Sequence, residues 1–471
     1  MQKYRWLFER YRRLISNGAF SAGDRLPSLR ATAEAEGLGL NTVRAAWELL
    51  ESEGLAKVRS RGGYYVRASR TATRPGFFAG GLSPAACREV EGLSASQKIE
   101  FLLSAGGAGG GFALAEPDAA LLPVARLERL HATLTGSWIA YGDKDGEPTL
   151  RSRISAAYHQ RNGGIDPAEI LVTNGATEAI ALAVRTLIEA GDEVAVESPT
   201  YYDFIRQLAA VRARIVEVPV RAGEGMDLDL LETRLERGRI RMIIVQPNVQ
   251  NPTGTLMSDE NKRRLVGLAA RHGAFLVQDD VYGDLAFGRS PPLNLGALGG
   301  YEKLIYISSF SKTLAPGLRI GWMQAGSHRS ELARAKGLSS LSTNRPAQLA
   351  LAGFLVGAKF RKHLAEMRLA LQTQLADYLE ILSDRLPEGS SLAPPAGGCL
   401  LWLALPSGMD ASKLFELAAR EGILAAPGEL FSANPFFQGH LRINFGGRLT
   451  EKRSGELRRL CDIARRLAKH R

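Results

Sequence analysis

Lys312 lies in Tyr306-Ile-Ser-Ser-Phe-Ser-Lys-Thr-Leu-Ala-Pro-Gly-Leu-Arg-Ile-Gly321, a short polar turn directly after an apolar run. A lysine amine that is partly desolvated and close to a second cation gives up its proton more readily. The neutral amine then adds to an aldehyde to form a Schiff base. Pyridoxal 5′-phosphate is the aldehyde this chemistry suggests. Its phosphate needs hydroxyls, backbone N–H groups and a cation, and Ser309, Ser311 and Arg319 offer the first and third within a few residues. Ser-x-Ser-Lys alone describes a solvated loop lysine equally well, so the rest of the chain has to decide.

Further polar residues of the right kind follow apolar runs. Asn174-Gly-Ala-Thr-Glu-Ala-Ile180 opens a helix whose free N–H groups and Thr177 hydroxyl suit a phosphate, although an ordinary cap reads the same way. Glu197-Ser-Pro-Thr-Tyr-Tyr202 brings Tyr201 to where an aromatic ring could stack on a pyridine. Gln246-Pro-Asn-Val-Gln-Asn-Pro-Thr-Gly254 holds Asn251 before a proline, able to donate to a ring oxygen. Phe275-Leu-Val-Gln-Asp-Asp-Val-Tyr282 ends an apolar strand in acids. Asp279 there is costly to ionise unless a cation such as a protonated pyridine nitrogen sits beside it.

The elements that position these groups are short, continuously apolar strands alternating with helical runs. They are Ile170–Thr173, Glu193–Val196, Ile215–Val218, Met242–Val245, Phe275–Gln278 and Leu304–Ile307. Such strands are buried on both faces, which predicts an α/β fold: a mostly parallel sheet covered by helices, with ligands beyond its carboxyl ends. From about residue 330 the chain holds a long helical run and a smaller region around Gly397–Phe445. The last helix is expected over Thr450–Arg471, its basic face solvated.

With 471 residues, two or three domains are expected. No apolar run approaches a membrane span, and the charged, aromatic N-terminus lacks a secretory core, so the expected location is cytoplasmic. Cys87, Cys399 and Cys461 are widely separated, which argues against a disulfide framework or a zinc site. The net charge is +11, and +7 of it falls in residues 1–75, which points to a polyanionic partner for that end.

There, Tyr4, Leu7, Phe8, Tyr11, Leu14 and Ile15 predict a helix over 4–17. Ser28 is placed to cap a second helix, Gly39 a third with Val43, Ala46, Trp47 and Leu50 on one side. A hairpin follows, with a basic tip at Arg59-Ser-Arg-Gly-Gly63. Two tightly joined helices plus a wing are the geometry of a winged helix-turn-helix.

Gly23-Asp-Arg-Leu-Pro-Ser-Leu-Arg30, Asn41-Thr-Val-Arg44, Leu49-Leu-Glu-Ser-Glu-Gly54 and Gly63-Tyr-Tyr-Val66 resemble the GntR group of winged helix-turn-helix regulators. That resemblance implies contact with double-stranded DNA through Ser28, Arg30, Asn41, Thr42 and Arg44, with Arg61, Gly62 and Gly63 at the wing. Gly39 and Leu40 depart from the polar residues usual at the turn, which implies fewer base contacts. Residues 112–471 resemble the class I, fold-type I aminotransferases, which implies that the helical run from about residue 330 and the region around Gly397–Phe445 form a smaller α+β domain. By that resemblance Gly175, Ala176, Thr177, Ser309, Ser311 and Arg319 hold the cofactor phosphate, Tyr201 stacks on the ring, and Asn251 and Tyr282 meet its hydroxyl. Asp279 pairs with the ring nitrogen and Lys312 forms the imine. Arg442 grips a substrate carboxylate, and Tyr141 reaches across a homodimer to the partner's phosphate.

The whole chain is similar to the MocR group of bacterial regulators: a winged helix-turn-helix over 1–68, a flexible linker over 69–111 with one candidate short helix around Ile99–Ser104, and a cofactor domain over 112–471. The resemblance implies a homodimeric, pyridoxal-phosphate-dependent transcription factor that senses an amine, an amino acid or a B6 vitamer. A working amino acid aminotransferase with an accessory DNA-binding domain is the alternative, since no catalytic position is missing. A DNA-binding protein without cofactor is the third reading.

Overall fold

The computed structural model describes residues 3–16, 26, 28–59, 63–67, 94–105, 111–134, 136, 137, 139–159, 161, 163–288 and 291–469. Arg61 and Gly62 of the expected wing tip, and residues 69–93 and 106–110 of the expected linker, lie outside them. The chain forms two compact units, residues 1–79 and 80–471.

The first unit contains helices α1 (Lys3–Ser16), α2 (Leu29–Glu36) and α3 (Leu40–Ser52), then an antiparallel hairpin of β1 (Ala56–Arg59) and β2 (Gly63–Val66). The helical spacing of Leu7, Phe8 and Tyr11 gives α1 an apolar stripe, which packs on Val43, Ala46, Trp47 and Leu50 of α3. The Tyr11 ring meets Trp47 edge-on at 4.5 Å. Gly37, at φ +60°, takes the left-handed turn after α2, and Gly39 in extended backbone starts α3 without a side-chain cap. Leu26 N–H donates to the Tyr64 carbonyl at 2.9 Å, joining the wing to the chain before α2.

In the second unit, α4 (Ala95–Ala105) falls in the stretch expected to be a flexible linker. Ile99 and Leu102, three residues apart on one helix face, are buried against Phe415, Leu424 and Phe431, and Lys98 pairs with Glu429 at 2.8 Å. This part of the stretch is therefore packed and not a free tether. Helices α5 (Val124–Ala132) and α6 (Pro148–Tyr158) follow.

The central sheet has eight strands: β3 (Ile170–Thr173), β4 (Glu193–Ser198), β5 (Arg214–Arg221), β6 (Gly225–Met226), β7 (Ile240–Val245), β8 (Phe275–Asp279), β9 (Leu304–Ser309) and β10 (Gly321–Gln324). Across the sheet they run β3, β10, β9, β8, β7, β4, β5, β6. The pairs from β9 to β5 are parallel, while β10 runs antiparallel to both neighbours. All six strands expected from the sequence are present. Their unbroken apolarity reflects burial on both sides: Met242 and Ile244 of β7 enter one core cluster, Ile243 and Val245 the other. Helix α7 (Ala176–Leu187) follows β3 directly.

A smaller antiparallel sheet is built from β11 (Ser391–Ala393), β12 (Leu400–Ala404), β13 (Ala426–Pro427) and β14 (His440–Asn444) in the order β11, β12, β14, β13. The helices Lys359–Arg385, Ala411–Arg420 and Glu451–Lys469 cover it. No helix among the described residues is long and apolar enough to cross a membrane.

Candidate active site and DNA-facing surface

Strand register builds one end of the site. Gly321 pairs with Thr173 on one side and Ser309 on the other, so the ends of β3, β10 and β9 meet in a row. The turn after Thr173 leads into α7, whose first N–H groups have no helical partner. Gly175 stands at φ +84°. A Cβ there would fall 2.6 Å from Arg319 Nη2, and one on Gly321 would fall 2.4 Å from the Gly175 carbonyl carbon. The two glycines thus let three backbones and a guanidinium converge. The Ser309 and Ser311 hydroxyls are 2.9 Å apart, Ser311 N–H donates to Ser309 Oγ at 3.1 Å, and Arg319 Nη2 donates to the Asn174 carbonyl at 3.3 Å. Thr177 is exposed at this helix start.

Gly321→Ala is therefore expected to lose phosphate binding and about 1–3 kcal/mol of stability, because backbone and not a movable side chain blocks the methyl. Thermal melts with and without added pyridoxal phosphate check this; an unchanged cofactor-induced shift would remove Gly321 from the argument.

Asp279, the last residue of β8, is buried, and its carboxylate accepts from Gln246 Nε2 at 2.9 Å and from Val281 N–H at 3.1 Å. Among the described residues no cationic side chain forms an ion pair with it. Burial, opposed by those two donors, pushes its pKa up to about 7. Asp280, next in sequence, is also buried but accepts from Arg161 at 2.8 Å, Tyr306 at 2.7 Å and Asn248 at 2.8 Å. Glu197 at the end of β4 is a third buried acid. Its Oε2 accepts Gln246 N–H at 2.9 Å, its Oε1 has no partner among the described residues, and burial raises its pKa to about 8.

Lys312 sits in the turn between β9 and β10. Burial lowers its pKa, and Arg442 and Arg319 push the same way against Glu116 and Cys399. Tyr201 starts the helix Tyr202–Ala210, its ring 4.7 Å from that of Tyr202, and burial holds its hydroxyl well above the ordinary tyrosine range. Tyr282 is buried and its hydroxyl donates to the Ala115 carbonyl at 2.9 Å.

Arg442 on β14 is 1% exposed and lies over the Phe431 ring at 4.8 Å. Its Nη1 donates to Asn251 Oδ1 at 3.0 Å, its Nη2 donates to the Ala113 carbonyl, and its Nε has no partner among the described residues. Asn251 N–H in turn donates to Gln246 Oε1 at 3.1 Å. The site therefore joins serine hydroxyls, free helix N–H groups and a guanidinium, a buried lysine of lowered pKa, a buried acid without an ion-pair partner among the described residues, and an arginine whose Nε has no partner among them. Tyr141 stands apart, 86% exposed, on a stretch anchored by Arg329–Asp145 and Arg345–Glu147 pairs at 2.6 and 2.9 Å.

In the first unit Ser28, Arg30, Asn41, Arg44 and Gly63 are exposed and Thr42 is half-buried. Asn41 and Arg44 lie off the buried stripe of α3. Leu40, the apolar residue at the turn, is also 48% exposed.

Residues 111–462 match the model of the class I and II aminotransferases, and residues 3–66 that of the gntR family of bacterial regulatory proteins. The HTH-type transcriptional regulator YdcR of Escherichia coli is 33% identical over 98% of both chains, and YjiR of the same organism 30% over 96% of both. The chain belongs to the MocR-type regulators. Among solved structures it resembles the α-aminoadipate aminotransferase LysN of Thermus thermophilus, complexed with N-(5′-phosphopyridoxyl)-L-leucine, at 29% identity and TM-score 0.74. The match covers 82% of this chain and 98% of that one.

MocR-type membership implies pyridoxal 5′-phosphate as the cofactor, and the residues fit it. Glycines at 175 and 321 let backbone and the Arg319 guanidinium converge beside two serine hydroxyls, Asp279 has no ion-pair partner among the described residues, and burial lowers the Lys312 pKa. Three further groups escaped sequence reasoning. Gln246 opens the polar run after β7 and touches both Asp279 and Asn251. Glu197 stands four residues before Tyr201 and accepts the Gln246 N–H. Asn444 follows Arg442 by two residues on β14, a spacing that puts both on one face of the strand.

Proposed function

We propose that this chain is a homodimeric transcription regulator whose first unit binds a double-stranded DNA operator and whose second reports an amino acid, an amine or a B6 vitamer. Residues 1–68 would read DNA through Ser28, Arg30, Asn41, Thr42, Arg44 and the wing, and residues 112–471 would hold the cofactor. Bound pyridoxal phosphate supplies an aldehyde that exchanges amines at Lys312 and a ring that withdraws electrons.

This chain's residues do the remainder. Gly175, Ala176, Thr177, Ser309, Ser311 and Arg319 bind the phosphate, with Tyr141 reaching the partner's. Tyr201 orients the ring, Asn251 and Tyr282 its hydroxyl, and Asp279 keeps a proton on its nitrogen. Burial keeps the Lys312 amine able to shed its proton, and Arg442 takes a carboxylate by a two-pronged pair. The observation that carries the reading is Asp279, a buried acid with no ion-pair partner among the described residues, in a chain that also presents an exposed Asn41 and Arg44 on a recognition-type helix.

Binding of an effector can shift DNA affinity only by favouring one conformation over another. The test titrates cofactor-loaded protein with amines, amino acids and vitamers, following the visible spectrum and retention of an operator fragment selected from random-sequence DNA. One compound should move both readouts. A spectral shift with unchanged DNA affinity overturns the coupling.

The intact set Asn251, Asp279, Lys312 and Arg442 supports the second reading, a working aminotransferase. Steady turnover at about 1–1,000 per second would favour it. The relatives that span both units are regulators, which is why the first reading is preferred.

A further inference from the structure

The backbone from Gly111 to Glu116 is held by its carbonyls, and the donors are Arg442, Asn444, Arg453 and Tyr282. Arg453 Nη2 donates to Gly111 at 3.1 Å, Asn444 N–H to Phe112 at 2.8 Å, and Arg442 Nη2 to Ala113. Asn444 Nδ2 then donates to Leu114 at 2.6 Å and Glu116 at 2.7 Å, and Tyr282 Oη to Ala115 at 2.9 Å. Six successive carbonyls are thus taken, and Asn444 supplies three of the bonds. Asn444 Oδ1 itself accepts Gly446 N–H at 2.6 Å, which fixes the orientation of its amide.

On Arg442, Nη1 is committed to Asn251, so the Nε–Nη2 edge is the one that can take a carboxylate side-on. Nε there is without a partner among the described residues, and Nη2 is already on Ala113. A carboxylate on this edge would pair with Nε and Nη2 together, two bonds between opposite charges in place of the single bond to the Ala113 carbonyl. We propose that Ala113 occupies the carboxylate subsite in place of a ligand, that Asn444 is the positioning residue holding it there, and that an incoming carboxylate displaces it and loosens residues 111–116. Those residues follow α4 in the sequence of the same unit, so the inference rests on the reading above and gives it a moving part.

The test uses the full-length, cofactor-stripped protein and two probes that differ only in a carboxylate: N-(5′-phosphopyridoxyl)-L-leucine and N-(5′-phosphopyridoxyl)-3-methylbutylamine. By hydrogen exchange both should protect the start of α7. Only the leucine adduct should speed exchange in Phe112–Asp118. Equal or slower exchange with the leucine adduct overturns the displacement while leaving the cofactor site standing. Protection of α7 by neither probe overturns the cofactor reading, and this inference with it. In Asn444→Ala the ratio of leucine-adduct to amine-adduct affinity should rise about fivefold, the equivalent of one ordinary hydrogen bond released. Equal weakening of both would make Asn444 merely structural. Should that variant fail to fold, the wild-type exchange pattern decides alone.

Discussion

Lys312→Ala is expected to lose the borohydride-trapped cofactor adduct completely and to slow amine exchange at the cofactor by at least about a thousandfold. A positioned intramolecular amine has an effective molarity of about 10⁵ M or more, and no external amine replaces it at millimolar concentration. Cofactor binding itself should weaken without vanishing, because the phosphate cradle at Gly175, Ser309 and Gly321 is untouched. The discriminating control is Lys336, on the helix Arg329–Ser340. It is 0% exposed, its Nζ has no partner among the described residues, and burial lowers its pKa too. A shifted lysine is therefore not enough: what separates the two is placement beside Ser311 and Arg319 at the end of β9. Lys336→Ala should keep the adduct that Lys312→Ala loses. Mass spectrometry of borohydride-reduced protein checks both, and an adduct that survives Lys312→Ala sinks the assignment.

The strands were legible because burial on both faces leaves an unbroken apolar run, and the polar residues after them were legible because parallel strands end on one edge. What stayed hidden depends on register and distance. Strand β10 has four residues, one of them glycine, and shows no period, yet Gly321 is what brings Thr173 and Ser309 together. The adjacent acids Asp279 and Asp280 read alike as letters; only the fold gives Asp280 the Arg161 guanidinium and leaves Asp279 with amides. Residues 69–111 looked like a tether from their small and glycine-rich composition. The partners of α4, Phe415 and Phe431, lie more than 300 positions further on, beyond the reach of any local pattern.

Asp279→Asn should stabilise the cofactor-free protein and weaken the loaded one, an opposite pair of effects that follows from one buried carboxylate. Its pKa is about 7 in the folded chain and about 3.9 when unfolded. Between those values the folded state holds a proton that the unfolded state has released, so rising pH favours unfolding across the window from about 4 to about 7. Asparagine keeps the shape without the ionisation. The variant's advantage over the wild type should therefore grow by about 2 kcal/mol from pH 5.5 to pH 8, with Gln246 and Val281 still present around it. Glu197, whose pKa of about 8 is raised in the same sense, stays in both proteins and largely cancels from the comparison. With cofactor bound the sign reverses. A ring nitrogen carrying a proton supplies the cation that Asp279 lacks, and removing one member of a buried ion pair costs about 3–5 kcal/mol, so cofactor affinity should fall by roughly a hundredfold or more. Melting curves over pH and cofactor titrations measure the two halves separately. A difference between variant and wild type that stays flat with pH in the cofactor-free proteins would show that Asp279 does not carry this titration, and an undiminished affinity in the loaded variant would place the ring nitrogen elsewhere.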